Sequence, residues 1–244
     1  MSLLAELSQG AAEVLFPPTC VACRELVEPE GGFRHLCAAC ARGINFVQAP
    51  HCDTCGHPFY GDVEGDRTCA HCVGLDPAFD RGCTAVLFKG AARALVIELK
   101  YHQGVHVVAD MTEILRRSPT LLDRVRDAVL VPVPLHPRKL RERGYNQSRL
   151  LAEGLAAAAG GATRVEDLLV REVDTVTQTA FDRESRRENL KNAFALAKGA
   201  PLNPAQHYVL VDDVFTTGST LNGCARVLRR AGSLNLDVVT FGHG

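Results

Sequence analysis

Val209-Leu210-Val211-Asp212-Asp213-Val214-Phe215-Thr216-Thr217-Gly218-Ser219-Thr220 reads as a strand, a turn and the start of a helix. An apolar run ends in two carboxylates, a hydroxyl-rich turn with one glycine follows, and a helical pattern comes next. In an open α/β sheet, ligands bind where strands end and helices begin. Thr217, Gly218 and Ser219 offer backbone N–H groups and hydroxyls at a helix N-terminus, which suits a phosphate. Asp212 and Asp213 supply acceptors for ribose hydroxyls or for a water-shelled Mg²⁺. A phosphate cradle beside two acids is what a ribose 5-phosphate needs. A buried strand with Ser219 as the next helix's N-cap would explain one acid and one hydroxyl, not both acids and Thr-Thr-Gly-Ser-Thr.

At Asp212 to Thr220 the chain resembles the motif by which type I phosphoribosyltransferases bind 5-phosphoribosyl 1-diphosphate (PRPP). The rest of the chain is consistent with that class. Its 244 residues can hold a full-sized core and a smaller appendage. A formal net charge of −1 selects neither nucleic acid nor membrane as a partner. Met1 to Cys20 contains Glu6 and Glu13 but no Lys or Arg, unlike a secretory signal. No apolar run is long enough for a membrane span. The expectation is a soluble cytoplasmic protein without membrane insertion, where ten cysteines argue for metal rather than disulfides.

Those cysteines form an internal repeat. Cys20-x2-Cys23 is followed after thirteen residues by Cys37-x2-Cys40, and Cys52-x2-Cys55 after thirteen by Cys69-x2-Cys72. Two such knuckles supply four thiolates in a tetrahedron, the pattern of a zinc ribbon. Two structural Zn²⁺ sites are expected, with every ligand position filled by protein; a Cys₄ iron–sulfur site is the minority alternative. Sequential pairing closes the smaller loops and is favoured, with interleaved pairing left open. His35, His51, His57 and His71 are expected at the surface. Between Met1 and Gly82, five basic residues stand against eleven acidic ones, a net −6 that disfavours phosphate contacts by the ribbon. Scaffolding or protein docking fits that charge better.

Leu3, Leu4, Leu7, Ala11, Val14 and Leu15 predict a short helix that stops at Pro17-Pro18. Leu75 to Gly82 reads as a linker, dividing the chain into 1–80 and 81–244. Strands are expected over 83–88, 128–134, 165–170, 194–196, 207–213 and 236–241. Helices are expected over 91–99, 105–115, 150–159 and 219–230. His136 to Gln147 reads as a basic loop, placing Arg138, Lys139, Arg141 and Arg143 at a strand end where an anion binds. Lys100 is either a helix-end cation or faces a phosphate. Arg171 to Asn192, carrying Arg183, Arg186, Arg187 and Lys191, reads as a basic lid over an anionic substrate.

Four features occur together: the double Cys₄ ribbon, Val-Pro-Val-Pro-Leu (131–135) followed by Arg-Gly-Tyr-Asn-Gln (143–147), the Gln178…Arg183…Arg187-x-Asn189 stretch, and the PRPP motif. Together they resemble the ComF family, the ComFC-like proteins of DNA uptake and competence, over nearly the whole chain. The resemblance implies a type I phosphoribosyltransferase fold, a mostly parallel sheet flanked by helices, with an N-terminal double zinc-ribbon module. It also implies a link to internalised single-stranded DNA and to DNA-uptake proteins. It assigns Asp212 and Asp213 to the ribose hydroxyls and Mg²⁺, and Thr216, Thr217, Gly218, Ser219 and Thr220 to the 5-phosphate. Lys100, Arg143, Arg183 and Arg187 complete the PRPP site. Thr216 stands where purine-salvage enzymes carry an Asp that serves the base, so purine salvage is disfavoured. Phosphoribosyl transfer to an unnamed acceptor, and non-catalytic single-stranded DNA binding or docking that keeps the ligand site, both remain open. The scarcity of stacking aromatics, four Tyr and no Trp, weakens the second.

Overall fold

The computed structural model describes residues 17–28, 32–61, 68–70, 72–173, 193–200 and 202–244. The expected helix over 3–15 and the lid residues 174–192, with Gln178, Arg183, Arg186, Arg187, Asn189 and Lys191, lie outside them, as does His71. In chain order, the first ribbon carries a short helix α1 (Ala38–Arg42). Strand β1 (Gly82–Leu87) and helix α2 (Gly90–Tyr101) follow. After a 3₁₀ turn at Val105–Val107 come α3 (Val108–Arg116), α4 (Pro119–Val125) and β2 (Val129–Pro132). Next are α5 (Pro137–Arg143), α6 (Gln147–Ala159), β3 (Arg164–Val165), β4 (Leu169–Arg171) and β5 (Phe194–Leu196). β6 (His207–Phe215), α7 (Ser219–Arg230) and β7 (Asn235–His243) complete the chain.

Five strands form one sheet in the order β1-β7-β6-β2-β3, and every pairing in it is parallel. A parallel sheet must be covered on both faces, so its strands read as nearly continuous apolar runs. β2 is buried throughout, and β6 alternates its packing. Val209 and Val211 join one core with α2, α3, α4 and α6; Tyr208 and Leu210 join a second core with α7. The α/β class, the parallel sheet and the N-terminal four-cysteine units are as the sequence leads one to expect.

The two ribbons cover opposite faces. Cys20, Val27, Phe33, Leu36, Cys37 and Ile44 belong to the first core, and Cys52, Cys55, Cys69, Cys72, Leu75 and Phe79 to the second. Between them, Asn45 to Val47 runs antiparallel along β1, with Val47 N–H donating to the Ala85 carbonyl and Leu87 N–H to that of Asn45. The chain thus passes around the β1 edge from one face to the other.

Four local expectations need correction. The 136–147 segment is not a plain loop, because Pro137 opens α5 and Gly144, at φ +84°, closes it. The 165–170 strand is split: β3 ends at Val165, while β4 pairs antiparallel with β5 in a separate two-stranded sheet. Leu75 to Gly82 is no loose tether, since Leu75 and Phe79 are buried and Ala78 N–H donates to Asn222 Oδ1 at 2.8 Å. His35, His51 and His57 are half-buried rather than on the surface.

Candidate functional site

From β2 the chain moves outward to β3, and from β6 it moves the opposite way to β7. Their connecting helices, α6 and α7, pack on opposite faces. The carboxyl ends of β2 and β6 are therefore a topological switch point, where open α/β sheets form a ligand crevice. Asp212, Asp213 and the Thr216–Thr220 turn lie at that end of β6, and α5 follows that end of β2.

β6 runs on to Phe215, so both acids sit near its end, within the strand rather than beyond it. Strand alternation points them to opposite faces. Asp213 is 3% exposed, and its Oδ1 accepts from Lys100 Nζ, near the end of α2, at 2.7 Å. Lys100 is thus not a bare helix-end cation. Burial alone would lower its pKa, but the Asp213 and Asp212 charges outweigh that and raise it. Asp213 Oδ2 is buried without a hydrogen-bond partner.

Asp212 Oδ1 accepts from Ser148 Oγ at 2.9 Å and from the Asp213 amide at 2.9 Å. Loss of water, then the Asp213 charge beside it, lifts the Asp212 carboxyl to about 7, against the pull of Lys100 and those two hydrogen bonds. A carboxyl that titrates near neutrality in such a crevice marks a candidate site.

The turn is built around Gly218, whose φ of +68° favours glycine. A Cβ there would stand 2.6 Å from Phe215 Cζ, so no side chain fits. Thr217 Oγ1 donates to Ser219 Oγ at 3.0 Å, and α7 starts at Ser219. The first amides of a helix have no intrahelical acceptor and turn toward an anion. Thr216 is exposed, while Thr217, Ser219 and Thr220 are half-buried.

Residues 143–148 scaffold this site. Tyr145 Oη donates to the Leu99 carbonyl, next to Lys100. Asn146 Nδ2 donates to the Val133 carbonyl at 2.9 Å, while its Oδ1 caps α6 at the Ser148 amide. Ser148, so placed, reaches Asp212. Arg143, at the end of α5, donates to Gln147 Oε1. The structure therefore joins Lys100 to Asp213 and Asp213 to Asp212 by direct contact, and puts Arg143 at the end of α5, the helix that follows β2. The roles of Ser148, Tyr145 and Asn146 were not assigned from sequence, although Asn two residues before Ser at a helix start is a readable N-cap.

The cysteines gather as two sequential sets, Cys20/Cys23/Cys37/Cys40 and Cys52/Cys55/Cys69/Cys72, with the sulfurs of each set within 4.8 Å of one another. This fits the favoured pairing. Four sulfurs bound at ~2.3 Å to a tetrahedral ion stand ~3.8 Å apart. Cys23–Cys37 and Cys55–Cys69 measure 3.6 and 3.5 Å, so both sets suit zinc. Burial pushes the Cys20 thiol up, but the Cys37, Cys23 and Ala22 amides outweigh it and bring it down to about 7. The second set is entirely buried, and its Cys52 and Cys55 sulfurs accept from the Cys69 and His57 amides.

Residues 11–73 match a double zinc ribbon domain. Competence protein F of Haemophilus influenzae is 29% identical over 215 residues, spanning 83% of this chain and 88% of that protein. DNA utilization protein YhgH of Salmonella typhimurium is 32% identical over 209 residues, with the same shares. The chain belongs to the ComF family. Within that family, competence protein ComFC of Streptococcus pneumoniae is 31% identical over 120 residues, 49% of each chain. Among solved structures, a purine phosphoribosyltransferase from Pyrococcus horikoshii Ot3 is similar with a TM-score of 0.33 and 14% identity, over 58% of this chain and 73% of that one. No described helix of this ComF-family chain is long and apolar enough to cross a membrane.

Proposed function

We propose that this ComF-family chain binds PRPP, or a closely related ribose 5-phosphate, in the crevice between β2 and β6, and acts in the cytoplasm on the handling of incoming DNA. The observation that carries this reading is the adjacent pair of half-buried Asp212 and buried Asp213, wired to Ser148 and Lys100 and followed directly by the Gly218 turn. Thr216, Thr217, Gly218, Ser219 and Thr220 take the 5-phosphate. Asp212 and Asp213 take the ribose hydroxyls. Arg143 holds the pyrophosphate, helped by Arg183 and Arg187 as the family resemblance implies.

The partnerless Asp213 Oδ2 and the Asp212 carboxyl also fit a Mg²⁺ or its water shell. When bound, the ion would neutralise pyrophosphate charge. Lys100 is already paired with Asp213, so it offsets the acid's charge before the ligand arrives. In a phosphoribosyl transfer, these groups position the sugar and stabilise the leaving diphosphate. The ribbons, residues 1–80, are proposed as a metal-folded unit and residues 81–244 as the sheet-folded ligand unit.

A second reading, single-stranded DNA binding or docking without turnover, is favoured by the exposed Arg138 and Arg141 on α5 and by the exposed Tyr101 ring. Isothermal titration of PRPP with Mg²⁺, followed by a pyrophosphate-release assay over candidate acceptors and single-stranded DNA, separates the two. Binding that disappears in Asp212→Asn/Asp213→Asn supports the ligand assignment, and release with any acceptor supports transfer. Binding without release favours the second reading. Undiminished affinity in a folded double variant would refute the ligand site.

A further inference from the structure

One buried histidine lies outside the ligand crevice and outside both cysteine sets, yet touches elements of each. His243, the last residue of β7, is 3% exposed. Its Nε2 lies 3.2 Å from Cys55 Sγ in the second set. A metal-bound thiolate can only accept, so this nitrogen carries the hydrogen and donates. The same imidazole stacks on the Phe215 ring, with centroids 5.5 Å apart and planes within 10°. Backbone pairing holds that stack, because His243 lies in register with Phe215 and Gly244 N–H donates to the Phe215 carbonyl at 3.0 Å. Phe215 in turn packs against the Gly218 turn so closely that even a methyl there would collide with its ring.

A second, shorter route runs in parallel. Leu75 N–H donates to the Cys72 carbonyl at 2.9 Å, and Leu75 Cδ2 would lie 3.1 Å from a Cβ on Gly218. Both routes start at ligands of the second set and converge on one glycine. Among the described residues the first set has no such path: it meets the opposite face, where Asp110 on α3 accepts from the Arg34 and His35 amides at 2.9 and 2.7 Å.

We propose that His243 is a positioning residue that couples the second four-cysteine site to the Gly218 turn, so that metal in that site holds the turn in its ligand-receiving shape. The two ring functions are separable: the N–H steadies the Cys55 thiolate, and the ring face supports Phe215. Outer-shell hydrogen bonds of this kind typically contribute 10–100-fold to metal affinity. Coupling of two sites is reciprocal, so whatever the metal does for the turn, a ligand on the turn does for the metal. Only that last consequence rests on the ribose-phosphate reading above.

The test uses the full chain and three readouts: zinc transfer to a chromogenic chelator, amide hydrogen exchange at Thr217 to Leu221, and the same transfer with ribose 5-phosphate present. His243→Phe keeps an aromatic ring over Phe215 but removes the donor. Zinc should leave its second site about tenfold faster or more, with the first site unchanged. His243→Gln keeps an N–H but removes the ring; it should retain zinc nearly as wild type does while exchange at 217–221 quickens.

In wild-type protein, stripping the second site should raise exchange at 217–221 at least tenfold, whereas Cys23→Ser, which disables the first site, should leave it unmoved. This arm decides the matter even where a His243 variant fails to fold. Equal zinc release in His243→Phe and wild type, or loop exchange indifferent to second-site zinc, would overturn the proposal. Wild-type protein that ignores ribose 5-phosphate would count against the ligand assignment alone, since the zinc and exchange readouts use no ligand.

Discussion

Lys100 and Asp213 form an ion pair in the crevice, the lysine half-buried and the carboxylate buried, so removing the lysine alone carries a cost. Lys100→Met leaves the Asp213 carboxylate buried and unpaired, which should cost roughly 3 kcal/mol of stability. Adding Asp213→Asn should restore most of that loss; denaturant unfolding of both variants checks it, and a strictly additive double variant would contradict it. Asp212 gives a pH signature. Its carboxyl is raised from 3.8 to about 7 on folding, so between those values the folded chain keeps a proton that the unfolded chain has released. Stability from this group is therefore full below about pH 4, falls as pH rises, and levels off above about 7. Asp212→Asn should flatten that decline between urea unfolding curves taken at pH 5 and pH 7.5. At this scale the sequence marked the acids, because two adjacent carboxylates ending an apolar run are conspicuous. It could not mark their partners. Ser148 lies sixty-four residues from Asp212, and only the fold brings them together.

The elements were legible where period and punctuation agreed. β2, β6, α2 and α7 have apolar runs or stripes bounded by Pro, Gly or charge, and they lie within a few residues of their expected positions. α5 was missed as a helix because Pro137-Arg-Lys-Leu-Arg-Glu-Arg has only one apolar residue to give a period. α4 was not expected from the sequence, although Pro119 stands at N1, where proline opens a helix. The shape of the Gly218 turn is tightly specified, and Gly144 provides the contrast. Both have positive φ, but a Cβ at Gly144 meets nothing within 4 Å, whereas at Gly218 it strikes the Phe215 ring. Gly144→Ala should therefore cost only the backbone term, about 1–2 kcal/mol. Gly218→Ala should cost a further 1–3 kcal/mol or so for overpacking. Thermal melts would rank them, and equal losses would mean that the Phe215 contact is not rigid.

On the scale of the whole molecule, the ribbons are walls of the sheet's two cores rather than an appendage. The repeat of Cys-x2-Cys units made the metal sites readable, but nothing in the spacing said that each unit would cover a different face. That arrangement follows from Asn45 to Val47 pairing along β1. Metal analysis of protein never exposed to chelator should find about two zinc per chain. Cys83→Ser and Cys224→Ser should leave that count unchanged, because both thiols are buried outside the two sets. A count of one, or a loss on either substitution, would contradict the ligand assignment. The most direct test of the proposed site is a crystal structure of the full chain grown with ribose 5-phosphate. The expected result is a phosphate on the backbone amides of Thr217 to Thr220, with the ribose hydroxyls at Asp212 and Asp213. A phosphate seated instead on Arg138 and Arg141 of α5, with the Gly218 turn empty, would contradict it.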